Sequence, residues 1–215
     1  MTRIQSFLQC LPLLLLLYSS PVAFAQQPAF KCTRLTNIDG LSDNMVFCAL
    51  QDRYGFMWFG TRDGLNKYDG YKFTVYRHNP ADSGSLSDGG IYTLFEDSKG
   101  NLWVGTHIGG LNRFERETGH FIRYNYKPEE SIGQISSICE DIQGNIWFTT
   151  SPPIAQLYKL LIPSGKIINY QYSADNPYSI NSILINYVCR DSTGKIWVAT
   201  DFGFNQYDYQ RDRFI

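Results

Sequence analysis

The sequence predicts an all-β protein of the β-propeller class, and three observations carry that expectation. Its four tryptophans, Trp58, Trp103, Trp147 and Trp197, stand 45, 44 and 50 residues apart. Each sits in the same local pattern, D-x-x-G-x-x-W-[FV]-x-T. Aromatic residues make up 15% of the 215-residue chain, and aromatic and β-branched side chains suit pleated strands better than helices. One copy of the pattern would carry little weight. Four copies in register mark a repeat, and a repeat of about 40–50 residues holding four short strands is the size of a propeller blade.

In chain order, residues 1–25 read as a secretory signal peptide. Arg3 gives a positive start, Leu11 to Leu17 is apolar apart from Pro12, and Ala23-Phe24-Ala25 offers small residues at both cleavage subsites. The apolar run is far short of the about 20 residues a membrane span needs. Cys10 precedes that run, where a lipid-bearing cysteine would follow it. Residues 26–43 read as a leading strand and linker, with Phe30 to Leu35 resembling the outermost strand of a blade. Four blades are expected over about 44–88, 89–133, 134–181 and 182–215, the last one truncated. The stack is read as part of a larger propeller. The alternative is a four-bladed ring closed by Phe30 to Leu35.

Each blade starts with a strand-like run: Met45 to Leu50, Ile91 to Phe95, Ile135 to Cys139, Ile183 to Cys189. A turn comes next. Asp52, Asp97, Asp141 and Asp191 place a carboxylate at its first position, where it can accept backbone N–H groups. Gly55, Gly100, Gly144 and Gly194 stand at the fourth, where positive φ is needed. After the turn comes the Trp-bearing strand, then a third strand (Leu65 to Tyr68, Leu111 to Phe114, Leu157 to Leu160, Asn205 to Asp208) and a fourth (Phe73 to Tyr76, Phe121 to Tyr124, Ile167 to Tyr170). These are strands A to D of each blade. A blade alone has one face too apolar for water, and stacking buries it. A Trp at one strand position in every repeat is therefore expected in the core and not as a sugar-stacking ring.

Cys139 and Cys189, each eight residues before a Trp, are expected as small buried hydrophobes. There is no C-x-x-C and there are only three histidines, which argues against zinc. No cofactor or metal is expected. The formal net charge of −1 gives no electrostatic reason to expect nucleic acid. No nucleophile elbow, zinc-protease motif or phosphate loop is present. The D-x-x-G-x-x-W pattern also resembles the Asp box of sialidases, which makes an exported glycosidase the rival enzyme reading. Sialidase chemistry needs an arginine triad and a tyrosine nucleophile. Arg62, Arg113, Arg123 and Arg190 are candidates that nothing in the sequence brings together. A non-catalytic interaction scaffold is the third reading.

Because strands alternate in direction, the A–B and C–D loops lie at one end of the blades and the B–C and D–A loops at the other. The repeated turns occupy the first end. The second carries residues that differ from blade to blade: Arg62 and Asp63, His107, Ser151, Asp201 and Phe202. Of these Arg62, Asp63, His107, Asp201 and Phe202 are the ligand-binding candidates.

The repeats, with linkers such as Gly40-Leu41-Ser42-Asp43-Asn44 and Ser85-Leu86-Ser87-Asp88-Gly89, resemble two-component regulator propeller repeats. They are most like those of the N-terminal periplasmic sensors of Bacteroidetes hybrid two-component systems. The resemblance spans about residues 30–215 and is best in blades one and two. Blade three replaces the Gly-Leu-Asn turn with Ser151-Pro152-Pro153-Ile154-Ala155-Gln156-Leu157, and blade four has Phe204 where Leu is usual. The resemblance implies two seven-bladed propellers, a membrane span, a histidine kinase, a receiver and a DNA-binding module in the parent. It further implies an oligosaccharide ligand and control of glycan-utilisation genes. The parent is expected to be a homodimer that meets the membrane only through a downstream segment.

Overall fold

Each repeat folds into one sheet because the D-x-x-G turn reverses the chain between two runs rich in Ile, Val, Phe and Trp. The computed structural model describes residues 32–124, 133–153 and 155–215. Residues 1–25, with their cleavage site, lie outside the described residues, as do Phe30 and Lys31. Blade one contains β1 (Val46–Gln51), β2 (Met57–Thr61), β3 (Gly64–Tyr68) and β4 (Phe73–Tyr76). Blade two contains β5 (Ile91–Glu96), β6 (Leu102–Thr106), β7 (Leu111–Phe114) and β8 (Phe121–Tyr124). Blade three contains β9 (Ile135–Glu140), β10 (Ile146–Thr150), β11 (Leu157–Leu161) and β12 (Lys166–Tyr170). Blade four contains β13 (Ile185–Arg190), β14 (Ile196–Thr200), β15 (Gly203–Asp208) and β16 (Arg213–Phe214). Every sheet is antiparallel, with its strands side by side in chain order.

The leading strand expected over Phe30 to Leu35 is not found among the described residues: Cys32–Leu35 carry no regular structure. The outer-strand place in blade four is filled by β16, which pairs with β15. The leader gives way to a single 3-10 turn, Asn37–Asp39, held by a Thr36–Asp39 capping box.

The turns form as expected. The four turn glycines have φ between 79° and 90°, and each donates its N–H to the carbonyl of the Asp three residues before it at 2.9–3.0 Å. The carboxylates do more than cap. In blade two, Asp97 Oδ1 accepts the N–H groups of Lys99 and Asn101, both at 2.9 Å. Its Oδ2 accepts the indole N–H of Trp103 at 2.8 Å. The same indole bond joins Trp58 to Asp52 at 2.8 Å, Trp147 to Asp141 at 3.0 Å and Trp197 to Asp191 at 2.7 Å. The motif therefore ties turn to core, with the indole N–H satisfied inside the sheet.

Successive blades stack through apolar layers. Trp58 and Leu65 of blade one meet Ile91, Leu102, Val104 and Phe114 of blade two. Trp103 and Leu111 meet Ile135, Ile146, Phe148 and Leu160 of blade three. Trp147, Cys139 and Leu157 meet Ile185, Val188, Val198 and Tyr207 of blade four. Trp58, Trp103 and Trp147 are fully buried, as expected of core residues. Trp197 is only partly buried, because no further blade covers its face among the described residues. The same cause corrects the expectation for Cys189, which is exposed, while its counterpart Cys139 is buried. Phe204, in the place held by Leu65 and Leu111, is 74% exposed for this reason too.

Candidate functional site

The inner strands β1, β5, β9 and β13 lie against one another in sequence, so their ends surround the axis of the stack. Each carries a one-residue bulge at its second position, at Phe47, Tyr92, Ser136 and Asn186. A bulge leaves its extra residue unpaired and bends the strand. In blades one and two the bulged residues are aromatic: the Phe47 and Tyr92 rings stack at 4.1 Å and 13°. Tyr92 stacks in turn on His107 at 5.4 Å and 27°. Sequence reading missed these bulges, because each sits at the second residue of its strand and leaves a single residue before it to show the break in alternation.

The variable residues sit where the alternation of strands puts them. The backbone N–H of Arg62, His107, Ser151 and Asp201 bonds to the carbonyl of Met45, Gly90, Gln134 and Leu184 in turn, at 2.8–3.3 Å. They occupy one equivalent position in the four blades, on the B–C/D–A end. Arg62 and Asp63 come near His107 because both flank one linker, through the Gly64 N–H bond to Gly89 and the His107 N–H bond to Gly90. Asp201 and Phe202 belong to blade four and stand two blades further round.

Several of these polar groups are already partnered. Arg62 reaches Asp43 at 3.2 Å and Asp63 reaches Arg77 at 3.0 Å. Asp201 accepts the Ser182 hydroxyl. Phe202 is 76% exposed. A recess of about 310 Å³ opens on the same end between blades three and four, lined by Gln156, Tyr170, Ser182 and Leu184 among others.

A second set of residues fixes the D–A linkers. Asn66, Asn112 and Asn205 are buried. Their Oδ1 atoms accept the N–H of Ser42, Ser87 and Asn181 at 2.8–3.1 Å, and their Nδ2 atoms donate to the side chains of the same residues at 2.7–2.9 Å. This bond gives the Leu-Ser and Gly-Leu-Asn segments a structural task. In blade three Tyr158 takes the Asn place and the strand still forms.

At the opposite end, burial alone would raise the Asp52 carboxyl, but the bonds from Trp58 and Arg116 outweigh it and hold it below the usual range. The Trp197 indole and Thr193 hydroxyl hold Asp191 lower still. These carboxylates stay charged and act as fixed acceptors. Among the described residues no three His, Cys, Asp or Glu side chains converge as a metal site. No described helix is long and apolar enough to cross a membrane.

Comparison with known proteins agrees with this architecture. The two-component regulator propeller family matches at residues 40–63, 85–107 and 130–151. These segments run from linker to Trp strand in blades one, two and three, and those three repeats are similar to two-component regulator propeller repeats. A histidine kinase of Formosa agariphila is 52% identical over 63 residues, which is 29% of this chain and 5% of the kinase. The extracellular domain of a hybrid two-component system from B. thetaiotaomicron superposes with a TM-score of 0.67 at 22% identity, over 82% of this chain and 23% of that one. A second such domain from the same organism gives 0.61 at 24%, over 85% and 31%. The chain thus spans less than a third of each of these proteins.

Proposed function

We propose that this chain is the exported, ligand-sensing propeller region of a hybrid two-component protein, and that it binds an oligosaccharide without cleaving it. The observation that carries the reading is the match of three successive repeats to the two-component regulator propeller family. On this reading the parent continues into a membrane span, a kinase and a DNA-binding module that control glycan-utilisation genes. The propeller then lies in the periplasm, delivered by the signal peptide. An exported sample should begin at Gln26 by intact mass, and a retained Met1 end would contradict export by cleavage.

The B–C/D–A end is the binding face. There the repeat varies, offering Arg62, Asp63, His107 and Asp201 for sugar hydroxyls and the exposed Phe202 ring for a sugar's C–H face. At the other end the repeated carboxylates are committed to turn and indole N–H groups, which supports structure and not acid–base catalysis. Calorimetric titration against a panel of glycan fragments tests this. Heat is expected for at least one fragment, with no product after long incubation. Arg62→Ala and His107→Ala should weaken binding without loss of stability, whereas Asp97→Ala should lower stability. Hydrolysis of the glycan would replace this reading with the glycosidase.

A further inference from the structure

At the end of the blades opposite that face, two recesses adjoin between blades one and two, with volumes of about 500 and 320 Å³. They share Tyr54, Phe114 and Arg116. Among the described residues, the charged groups lining the smaller are Lys67 and Arg116. Lys67 is half-buried and has no carboxylate partner among the described residues. Its ammonium lies 3.6 Å from the centre of the Phe56 ring and 5.8 Å from that of Trp58.

The repeat itself shows why this cation is left over. Lys159 holds the same strand position in blade three. There its ammonium is 3.7 Å from Asp141 Oδ2, the oxygen that also takes the Trp147 indole. In blade one the equivalent oxygen, Asp52 Oδ2, is taken at 2.8 Å by Arg116, which reaches across from the C–D loop of blade two. Arg116 is fixed there by Glu96 at 3.1 Å and by the Gly100 carbonyl at 3.0 Å. Lys67 has thus lost the carboxylate that its counterpart uses. A half-buried ammonium that has shed part of its water and gained only ring faces lacks a counter-charge. Tyr54, its ring 4.7 Å from the Arg116 guanidinium, stands beside it as an exposed wall.

We propose that this cleft binds the anionic group of an acidic sugar, a carboxylate or sulfate, at the Lys67 ammonium, with the Tyr54 ring against the sugar's C–H face. The sugar class rests on the oligosaccharide reading above; the acidic group and the place come from the cleft. Glu115 and Glu117 line only the larger recess, which sets a preference for a single anionic group at Lys67 over a densely charged chain.

The test is calorimetric titration of this chain with trigalacturonic acid, a sulfated heparin tetrasaccharide and neutral cellotetraose. One acidic probe should bind, more weakly as salt rises, and cellotetraose should not compete with it. Lys67→Gln should weaken that binding about tenfold or more, equivalent to about 1.4 kcal/mol or more. Lys67→Arg should retain it, and Lys166→Gln, on the outer strand of blade three, should leave it unchanged. Lys67→Met keeps the stem over Phe56 and is the second uncharged variant, with native tryptophan emission as the check on folding. The proposal falls if neither acidic probe binds, or if both uncharged variants bind like the unmodified chain. It also falls if cellotetraose binds the cleft as well as the acids do. Binding lost in Arg62→Ala and kept in Lys67→Gln would sink the cleft and leave the oligosaccharide reading standing. The reverse pattern would keep the cleft and move the binding face.

Discussion

Replacing Asp97 by Asn should destabilise the protein nearly as much as removing the side chain. The carboxylate is buried and receives four donors: two backbone N–H groups on Oδ1, and the Asn101 amide and the Trp103 indole on Oδ2, each of the latter at 2.8 Å. Only a group with acceptors on both sides serves all four. An amide turned either way puts an NH₂ against two donors. With its oxygen toward the turn, it strands an indole N–H that no water reaches, since Trp103 is fully buried. A stranded buried donor costs about 1–3 kcal/mol, and a bond to a charged acceptor contributes about 1.5–3. Asp97→Asn should therefore lose roughly 2–4 kcal/mol. In urea this lowers the midpoint by about 1–2 M, read by tryptophan emission in dilute solution. Trp103→Phe removes the indole donor, so the double variant should cost less than the sum of the two singles. Strict additivity, or an Asp97→Asn midpoint equal to that of the unmodified chain, would refute the argument that the indole bond couples turn to core.

Three other outcomes are expected of the same structure. Trp103→Ala should cost roughly 3–5 kcal/mol and Trp197→Ala clearly less, because only Trp103 is fully buried; equal losses would show that the last face is covered. The folded pKa values of Asp52 and Asp191 are depressed, so their stabilisation is present above the ordinary aspartate value of about 3.9. It is lost as pH falls through the lower folded values. Urea midpoints should be level from neutral to mildly acidic pH and drop steeply only in stronger acid, and a drop beginning near neutrality would contradict the assignment. The apolar groups left open on blade four, Phe204 and Tyr187 at 74% and 53% exposure, should drive association. Sedimentation should show oligomers, and a strictly monomeric chain at all concentrations would argue that these rings are covered.

The repeat made most of the fold legible. Asp, Gly and Trp at fixed offsets located every A–B hairpin, and the observed strand ends lie close to those read from the apolar runs. What the sequence did not disclose depends on neighbours in space. Cys189 and Trp197 have the same local surroundings in sequence as Cys139 and Trp147, and differ only because a blade packs over the latter pair. The indole-to-carboxylate bond was not foreseen, although the constant six-residue spacing between Asp and Trp could have suggested it. For the candidate site, the end of the blades on which Arg62, His107 and Asp201 lie was readable from strand alternation. Their partners were not: the Arg62–Asp43 contact joins residues 19 positions apart, through a linker whose path is set by the buried Asn66.

The two ends of the blades divide the chemistry unevenly, and the boundary is not the one that variation among loops alone suggests. At the A–B/C–D end the carboxylates are fixed by the turn, yet the side chain beside them changes with each blade. One strand position holds Lys67, Arg113, Lys159 and Gln206 in turn. In blade three the lysine is buried, paired with Asp141 and 3.4 Å from the Tyr207 hydroxyl. Tyr207 and Tyr170 both donate to Asp212 at 2.5 Å, closing a polar network within the interface. In blade one an arginine from the next blade takes the carboxylate, and the lysine has no carboxylate partner among the described residues. A constant framework thus converts single substitutions into different local chemistries: a closed network in one interface and an open cationic cleft in another. In a stack of near-identical units, new local chemistry arises where a neighbour breaks the repeat's internal pairing. Lys67 is where the described residues show that break most plainly.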